Sequence, residues 1–254
     1  MSQVLRVAVA GANGRLGREI CAAIAAADDV EMTFGLVRPG GSASGLAAPV
    51  LESLSSNAPD FDVLIDVSTC DGVLSQLPAL HKPMVIGVTG FSPEQNTILK
   101  TASKRIAILR TGNFSLGVNL LLALTEQAAK ALGPNWRVQI TETHHVHKQD
   151  FPSGTALMLA AAAQQGLGQE LAIQSVLYPD KPNTNDAGIL PISSIRQGEE
   201  IGQHTLRLTN GREEVVLAHT ALQRGIFADG ALVAAKWVST QKPGLYAMRD
   251  VLHG

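Results

Sequence analysis

The stretch Leu5-Arg-Val-Ala-Val-Ala-Gly11-Ala-Asn-Gly14-Arg15-Leu-Gly17-Arg18 limits the fold more than any other part of the chain. A short apolar run, continuous enough for a strand buried on both faces, leads directly into a glycine turn. A helix follows, with Leu16, Ile20 and Ile24 on one face. Strand, turn and helix in that order are what dinucleotide binding requires. Gly11 allows the tight turn, Gly14 lets backbone approach a pyrophosphate, and Gly17 lets helix pack closely on strand. The spacing is GxxGxxG rather than GxGxxG, so the glycines alone also suit a turn in any doubly wound protein. The next strand, Val30 to Leu36, strengthens the dinucleotide reading.

The first half continues to alternate. Strands are expected at Val63 to Val67, Met84 to Val88 and Ile106 to Leu109, with helices carrying Val73, Leu74 and Leu77 and starting at Pro93. Such alternation predicts a parallel sheet covered by helices on both faces. The strands end in small or polar residues, at Gly11, Asp66-Val-Ser68-Thr69, Gly87-Val-Thr89-Gly90 and Thr111-Gly112-Asn113. Ligands of open α/β sheets bind outside those ends. From Val118 the pattern changes: a helix to Leu132, a strand Trp136 to Glu142, a polar linker or loop Pro179 to Gly188, then strands Ile189 to Ile195, His204 to Thr209 and Val215 to His219. Asn210-Gly211 is a type I′ hairpin signal. A second, strand-rich domain is therefore expected. The tail, with helices at Ala228 to Trp237 and near Leu245 to Leu252, is expected to return to the first domain.

Within fifteen residues, Glu142 to Ala156, lie His144, His145, His147, Lys148 and a Pro152-Ser153-Gly154-Thr155 helix entry. Core packing does not require such a density of proton-transfer and anion-binding groups. The backbone N–H groups of Ser153, Gly154 and Thr155 would point out of a helix N-terminus, where unsatisfied donors and the helix dipole favour an anion. Lys148 adds a full cation, so a carboxylate-bearing substrate is the simplest ligand. Lys148 should also disfavour protonation of the free cluster, and a bound dicarboxylate should restore it. Glu142, His145, His147 and Asp150 are zinc-ligand types, but a lysine among them would repel a dication and no HExxH spacing is present, so no metal is expected. A purely structural histidine cluster is the plainer alternative.

Composition removes other classes. A net charge of −2 and the absence of a basic block argue against a nucleic-acid partner. Cys21 and Cys70 have no metal or redox spacing, which suggests a reducing compartment. The longest apolar run, around Ala156 to Ala163, is too short for a bilayer. No membrane association and a cytoplasmic location are expected.

Val9-Ala-Gly-Ala-Asn-Gly-Arg-Leu-Gly-Arg18, Gly87-Val-Thr-Gly90, Asn113-Phe-Ser-Leu-Gly-Val-Asn119, the Glu142 to Ala156 block and Phe227-Ala-Asp-Gly-Ala231 together resemble the 4-hydroxy-tetrahydrodipicolinate (dihydrodipicolinate) reductase family. The histidine block is the most specific part. The resemblance implies a Rossmann-like doubly wound parallel sheet formed by residues 1–114 and 226–254. It also implies an α+β domain with an open mixed sheet, residues 115–225, for substrate binding and oligomerisation. The implied activity is NAD(P)H-dependent reduction of a small cyclic dicarboxylate on the diaminopimelate route to lysine, by a homotetramer. By motif position, His144 corresponds to the general acid and Lys148 to the cation that holds substrate and supports proton transfer. His145, Ser153, Gly154 and Thr155 correspond to carboxylate-binding groups. Cofactor contacts are implied at Gly11, Ala12, Asn13, Gly14, Arg15, Leu16, Gly17, Arg38, Ser68, Gly87, Thr89, Thr111, Gly112, Asn113, Phe114, Arg224 and Phe227.

The chain departs from the family pattern at several places. Val37, followed by Arg38, stands where many relatives carry an acidic residue, and Gln203 where glutamate is common. Thr111-Gly112 replaces Ala-Pro or Ala-Ala, Thr69 lies where some relatives have a basic residue, and the loop after Arg38 is short. These changes bear on the cofactor. Valine cannot accept the ribose hydroxyls of NADH and brings no charge to repel a 2′-phosphate, which Arg38 can contact, helped by Ser42 or Ser44. NADPH preferred over NADH is the expectation, with NADH possible. Two other functions share many of these features, a reductase of a different cyclic imine and a non-catalytic dinucleotide sensor. The sensor would need neither His144 nor Lys148.

Overall fold

A computed structural model describes residues 4–42, 44–55, 57–178 and 188–253. Nearly all of the expected linker Pro179 to Gly188 lies outside them. The chain divides into two units, residues 1–116 with 225–254, and residues 117–224.

The described residues of the first unit form seven strands: β1 (Leu5–Ala10), β2 (Val30–Leu36), β3 (Val50–Leu51), β4 (Val63–Asp66), β5 (Met84–Ile86), β6 (Ala107–Arg110) and β12 (Gly244–Tyr246). They form one sheet in the order β12-β6-β5-β4-β1-β2-β3, and every pairing is parallel. The period of two along a strand divides its residues between two cores. Val7 and Val9 of β1 join Val63 and Ile65 of β4 on one face, where α1 (Arg15–Ala25) and α6 (Gly225–Val238) cover them. Ala8, Ala10 and Leu64 join Leu36 and Ile86 on the other. With both faces buried, these strands are continuously apolar rather than alternating. The remaining helices are α2 (Cys70–Gln76), α3 (Pro93–Ala102) and the short α7 (Met248–Leu252).

Two edge strands depart from the sequence reading. β3 lies where a loop was expected, and Gly244–Tyr246 is a strand where the last helix was expected to begin. Each is two or three residues long and exists because a partner is present: Val50 and Leu51 pair with Gly35 and Leu36, and Leu245 with Ile108. The tail thus contributes a strand to the first sheet as well as α6 and α7.

The second unit consists of α4 (Leu116–Leu132), counted here from Gly117, with β7 (Arg137–His144), α5 (Gly154–Leu167), β8 (Ala172–Leu177), β9 (Ile189–Arg196), β10 (Gln203–Thr209) and β11 (Glu214–Thr220). Its mixed sheet runs β11-β10-β7-β9-β8. Val138, Ile140, Ile192, Leu206 and Leu208 pack with Leu121 of α4 and Leu159 of α5 in a third core. β8 has no counterpart in the sequence reading, and its residues are mostly exposed. The hairpin at Asn210-Gly211 is not the expected two-residue type I′ turn. Thr209 pairs with Glu214, leaving four loop residues, and Asn210 Oδ1 accepts from the N–H groups of Arg212 and Glu213. Gly211 has φ +85°, whereas Asn210 has no positive φ, which a type I′ turn would need. Among the described residues no helix is long and apolar enough to cross a membrane.

Candidate active site

In the first unit, the end of β1 turns sharply at Gly11, where φ is +75°. A Cβ there would lie 2.8 Å from the Val67 carbonyl oxygen, so glycine is required for space as well as for conformation. The Gly14 N–H donates to the Gly11 carbonyl at 2.9 Å, and Gly14 caps α1 with no side-chain hydrogen bond. A Cβ on Gly17 would come within 2.1 Å of the Gly11 carbonyl oxygen, which fixes how closely α1 approaches the turn. Uncapped amides at this helix start, beside backbone without side chains, suit a pyrophosphate.

A cleft of about 370 Å³ opens beside this turn, lined by Gly11, Asn13, Gly14, Arg38 and Ser68 among others. Ala12 and Gly17 are buried beneath it, and Arg15 and Leu16 begin α1. The other positions of the first unit at which cofactor contacts were expected do not line this cleft. Gly87, Thr89, Thr111, Gly112, Asn113 and Phe114 follow β5 and β6, where Thr111 Oγ1 donates to the Asn113 carbonyl at 2.7 Å and a Cβ on Gly87 would meet the Phe114 ring at 2.5 Å. Phe227, on α6, packs against the first core. Arg224 closes the second unit, near enough to His145 for its charge to be felt there.

Val37 brings no negative charge to the cleft, but another residue on its Arg38 side does. Glu52 lines it. β3 runs beside β2, the Val37 N–H donates to the Leu51 carbonyl at 3.0 Å, and the Gly40 N–H donates to Glu52 Oε1 at 3.0 Å. The acid directly follows β3, the strand that pairs with the end of β2.

In the second unit, β7 runs two residues past its expected end and carries His144 within the strand. It pairs on both sides, Glu142 opposite His204 of β10 and Ser194 of β9, and His144 opposite Arg196. Those partners hold the backbone extended beyond the apolar residues. Val138, Ile140, Glu142 and His144 therefore share the buried face, and the last two bring polar groups into it. Glu142 is fully buried and His144, Arg196 and His204 are nearly so.

Buried polar groups need partners: Glu142, His144 and Arg196 supply one another, and His204 meets Ser153. His144 Nδ1 is paired with Glu142 Oε2. Arg196 Nη1 and Nη2 both donate to Glu142 Oε1 at 3.1 Å. Burial works against the Glu142 charge, but hydrogen bonds led by that from His144, with Arg196 adding to them, hold its carboxyl far below the usual range, at about 2. Burial pushes the His204 imidazole down to about 4, and the neighbouring His144 pushes it the same way. His204 is thus neutral near pH 7, with Nε2 3.1 Å from Ser153 Oγ and its ring edge-on to His144. A Cβ on Gly202 would lie 3.0 Å from His144 Nε2, so this glycine leaves space beside the nitrogen that Glu142 does not occupy.

Ser153 caps α5, its hydroxyl accepting from the Ala156 N–H at 3.2 Å. Gly154 and Thr155 form the first turn. The loop between β7 and α5 is tied down by Arg196, which donates to the carbonyls of Lys148 and Asp150 at 3.2 and 2.6 Å. Lys148 Nζ donates to both carboxylate oxygens of Asp150, at 2.8 and 2.7 Å. His145 lies on the same loop, and desolvation followed by the Arg224 charge lowers its imidazole. At His204 the Lys148 charge disfavours protonation after burial and the nearer groups, and Lys148 is itself paired with Asp150. His147 is exposed, 3.7 Å from Glu199.

The four ligand types considered for zinc are not assembled, since Asp150 holds Lys148 and His147 points to Glu199. The group that does converge is Glu142, His144 and His204, where a dication would have to displace Arg196 and the proton of His144. Sequence reasoning gave no role to Arg196, Gly202 and His204, and weighed Glu142 only as a zinc-ligand type. A signal existed for two of them: His204 stands in phase with Leu206 and Leu208, and Glu142 with Val138 and Ile140.

Family models for the N-terminus and the C-terminus of dihydrodipicolinate reductase match residues 5–114 and 117–252. The chain belongs to the dihydrodipicolinate reductase family. It is 40% identical to the 4-hydroxy-tetrahydrodipicolinate reductase of Caulobacter vibrioides, over 99% of this chain and 98% of that one. Its identity to the enzyme of the same name from Nitrosomonas europaea is 41%, over 98% of each. A dipicolinate-bound dihydrodipicolinate reductase from Paenisporosarcina sp. TG-14 shares the fold, with TM-score 0.80, 24% identity and coverage of 98% and 99%.

Proposed function

We propose that this protein reduces 4-hydroxy-tetrahydrodipicolinate to tetrahydrodipicolinate with NAD(P)H on the diaminopimelate route to lysine. Reduced nicotinamide, when bound, supplies the hydride. His144 supplies the proton from Nε2. Glu142 holds the opposite ring nitrogen, which fixes the ring's orientation and balances the charge of an imidazolium. Lys148, His145, Ser153, Gly154 and Thr155 receive the substrate's carboxylates, using a cation and the first amides of α5. The observation that carries this reading is the pairing of buried His144 with a buried carboxylate that Arg196 and the strand register keep in place. Such a proton-handling unit, in a sheet whose adjoining loop leads to an anion-binding helix start, has no use in a dinucleotide sensor.

The glycine turn and the strand ends of the first unit hold the cofactor, with NADPH favoured through Arg38. Arg38 makes no ion pair with a described carboxylate, which supports a free guanidinium for a 2′-phosphate. The working form is a cytoplasmic homotetramer joined through the second unit's sheet, whose edge strands expose Ile173, Leu177 and Val216. Light scattering would report the mass.

The test follows NADPH absorbance while the condensation product of aspartate semialdehyde and pyruvate is generated in place. Oxidation that depends on this product is expected. A folded protein that leaves NADPH and NADH untouched would overturn the assignment, and activity confined to another cyclic imine would redirect it.

A further inference from the structure

We propose that Glu52 is a specificity-determining residue that opposes Arg38 in the cofactor cleft and keeps NADH usable. The inference rests on the reading that this cleft takes the adenosine end of a dinucleotide, and it identifies the group that tunes the choice. In such sheets, the acid that accepts the ribose hydroxyls ordinarily stands at the end of the second strand. Here that position is Val37, buried and unable to accept. The neighbouring strand makes up the loss. Because β3 pairs in parallel with the end of β2, Leu36 beside Leu51, the residue that follows β3 emerges beside the Val37 to Gly40 turn. That residue is Glu52. Its side chain lines the same cleft as Gly11, Gly14 and Arg38.

Its orientation is set by the loop. Gly40 has φ +70°, and the turn closes by the Gly41 N–H donating to the Arg38 carbonyl at 2.8 Å. The Gly40 N–H then donates to Glu52 Oε1 at 3.0 Å. One carboxylate oxygen is engaged by backbone, and Glu52 Oε2 has no hydrogen bond or ion pair among the described residues. A carboxylate so held accepts from vicinal ribose hydroxyls and repels a 2′-phosphate. The guanidinium of Arg38 on the same cleft does the reverse. Together they moderate the NADPH preference that Arg38 alone would give, which leaves NADH usable.

The experiment measures binding of 2′,5′-ADP and 5′-AMP to the whole protein by calorimetry, for the wild type, Glu52→Gln and Arg38→Ala. Glutamine retains an oxygen for the Gly40 N–H, so the loop is kept while the charge is removed. Glu52→Gln should tighten 2′,5′-ADP and weaken 5′-AMP, each by about threefold to tenfold, the scale of one solvent-screened charge contact. Arg38→Ala should weaken 2′,5′-ADP selectively. The NADPH to NADH ratio of kcat/KM should rise in Glu52→Gln to match. Unchanged affinities in Glu52→Gln, or both affinities moving in one direction, would overturn the role of Glu52 while leaving the cofactor site standing. If the wild type binds neither fragment, the cofactor reading of the cleft fails, and this inference with it.

Discussion

The glycine cleft of the first unit and the histidine cluster of the second are built by opposite means. The cleft is made of backbone: Gly11, Gly14 and Gly17 matter for the side chains they lack, and a Cβ on Gly11 or Gly17 would strike backbone atoms at 2.8 or 2.1 Å. The cluster is made of side chains, with Glu142 paired to His144 and Arg196, and His204 to Ser153, beside an apolar core. A site of the first kind can be specified by spacing along one segment. A site of the second kind needs three strands in register, and its parts come from positions as distant as Glu142, Arg196 and His204.

The difference can be tested, beginning with the largest effect. His144→Gln should lower turnover by roughly a hundredfold to ten-thousandfold, the range for losing general acid catalysis, while 2′,5′-ADP affinity stays unchanged. Near-wild-type turnover in a folded variant would remove His144 from its role. Gly17→Ala should act in the opposite sense. Its added carbon meets a carbonyl that cannot move cheaply, so calorimetry should show NADPH binding weakened at least tenfold, with about 1–3 kcal/mol of stability lost to overpacking. The His144 and His204 signals in NMR titrations should not change. If they shift, the two sites are not built independently.

A smaller effect concerns acid. His204 has an ordinary value of 6.5 and is held at about 4, so the unfolded chain binds a proton there that the folded chain refuses. Its contribution is complete above pH 6.5 and is lost as pH falls towards 4, about 3 kcal/mol at most. Glu142, depressed from 4.5 to about 2, extends the loss below that window. Denaturant midpoints between pH 7 and pH 4 should therefore fall for the wild type and flatten in His204→Gln. A wild-type midpoint that does not change over this range would contradict the buried, neutral His204. The smallest effect is expected at Asp150→Asn. Releasing Lys148 from an ion pair whose carboxylate is largely exposed should improve inhibition by a planar pyridine dicarboxylate by no more than about fivefold. Weaker inhibition would mean that Asp150 helps to hold the anion rather than competing with it.

Both sites were partly legible in the linear chain, for different reasons. β1, the glycine turn and α1 are contiguous, and their spacing carries the geometry. The α5 entry at Pro152-Ser153 is equally local, since an N-cap acts within its own first turn. β3 and β12 were missed because strands of two or three residues have no pattern of their own. The hairpin failed for a related reason: Asn-Gly favours a tight turn, but the observed register leaves four residues, which the Asn210 side chain organises.

From local order alone the chain determined its strand and helix alternation, its glycine turn, and a histidine-rich segment ending at a helix start. Backbone preference and hydrophobic period act between near neighbours, so they are written in contiguous residues. Tertiary structure decided what those segments do together. It placed Glu142 behind His144, set Arg196 and His204 on the adjoining strands, and brought Glu52 beside Arg38 through a two-residue strand. Those contacts depend on which strands pair and in what register, because one residue of slip would turn every side chain to the other face of its sheet.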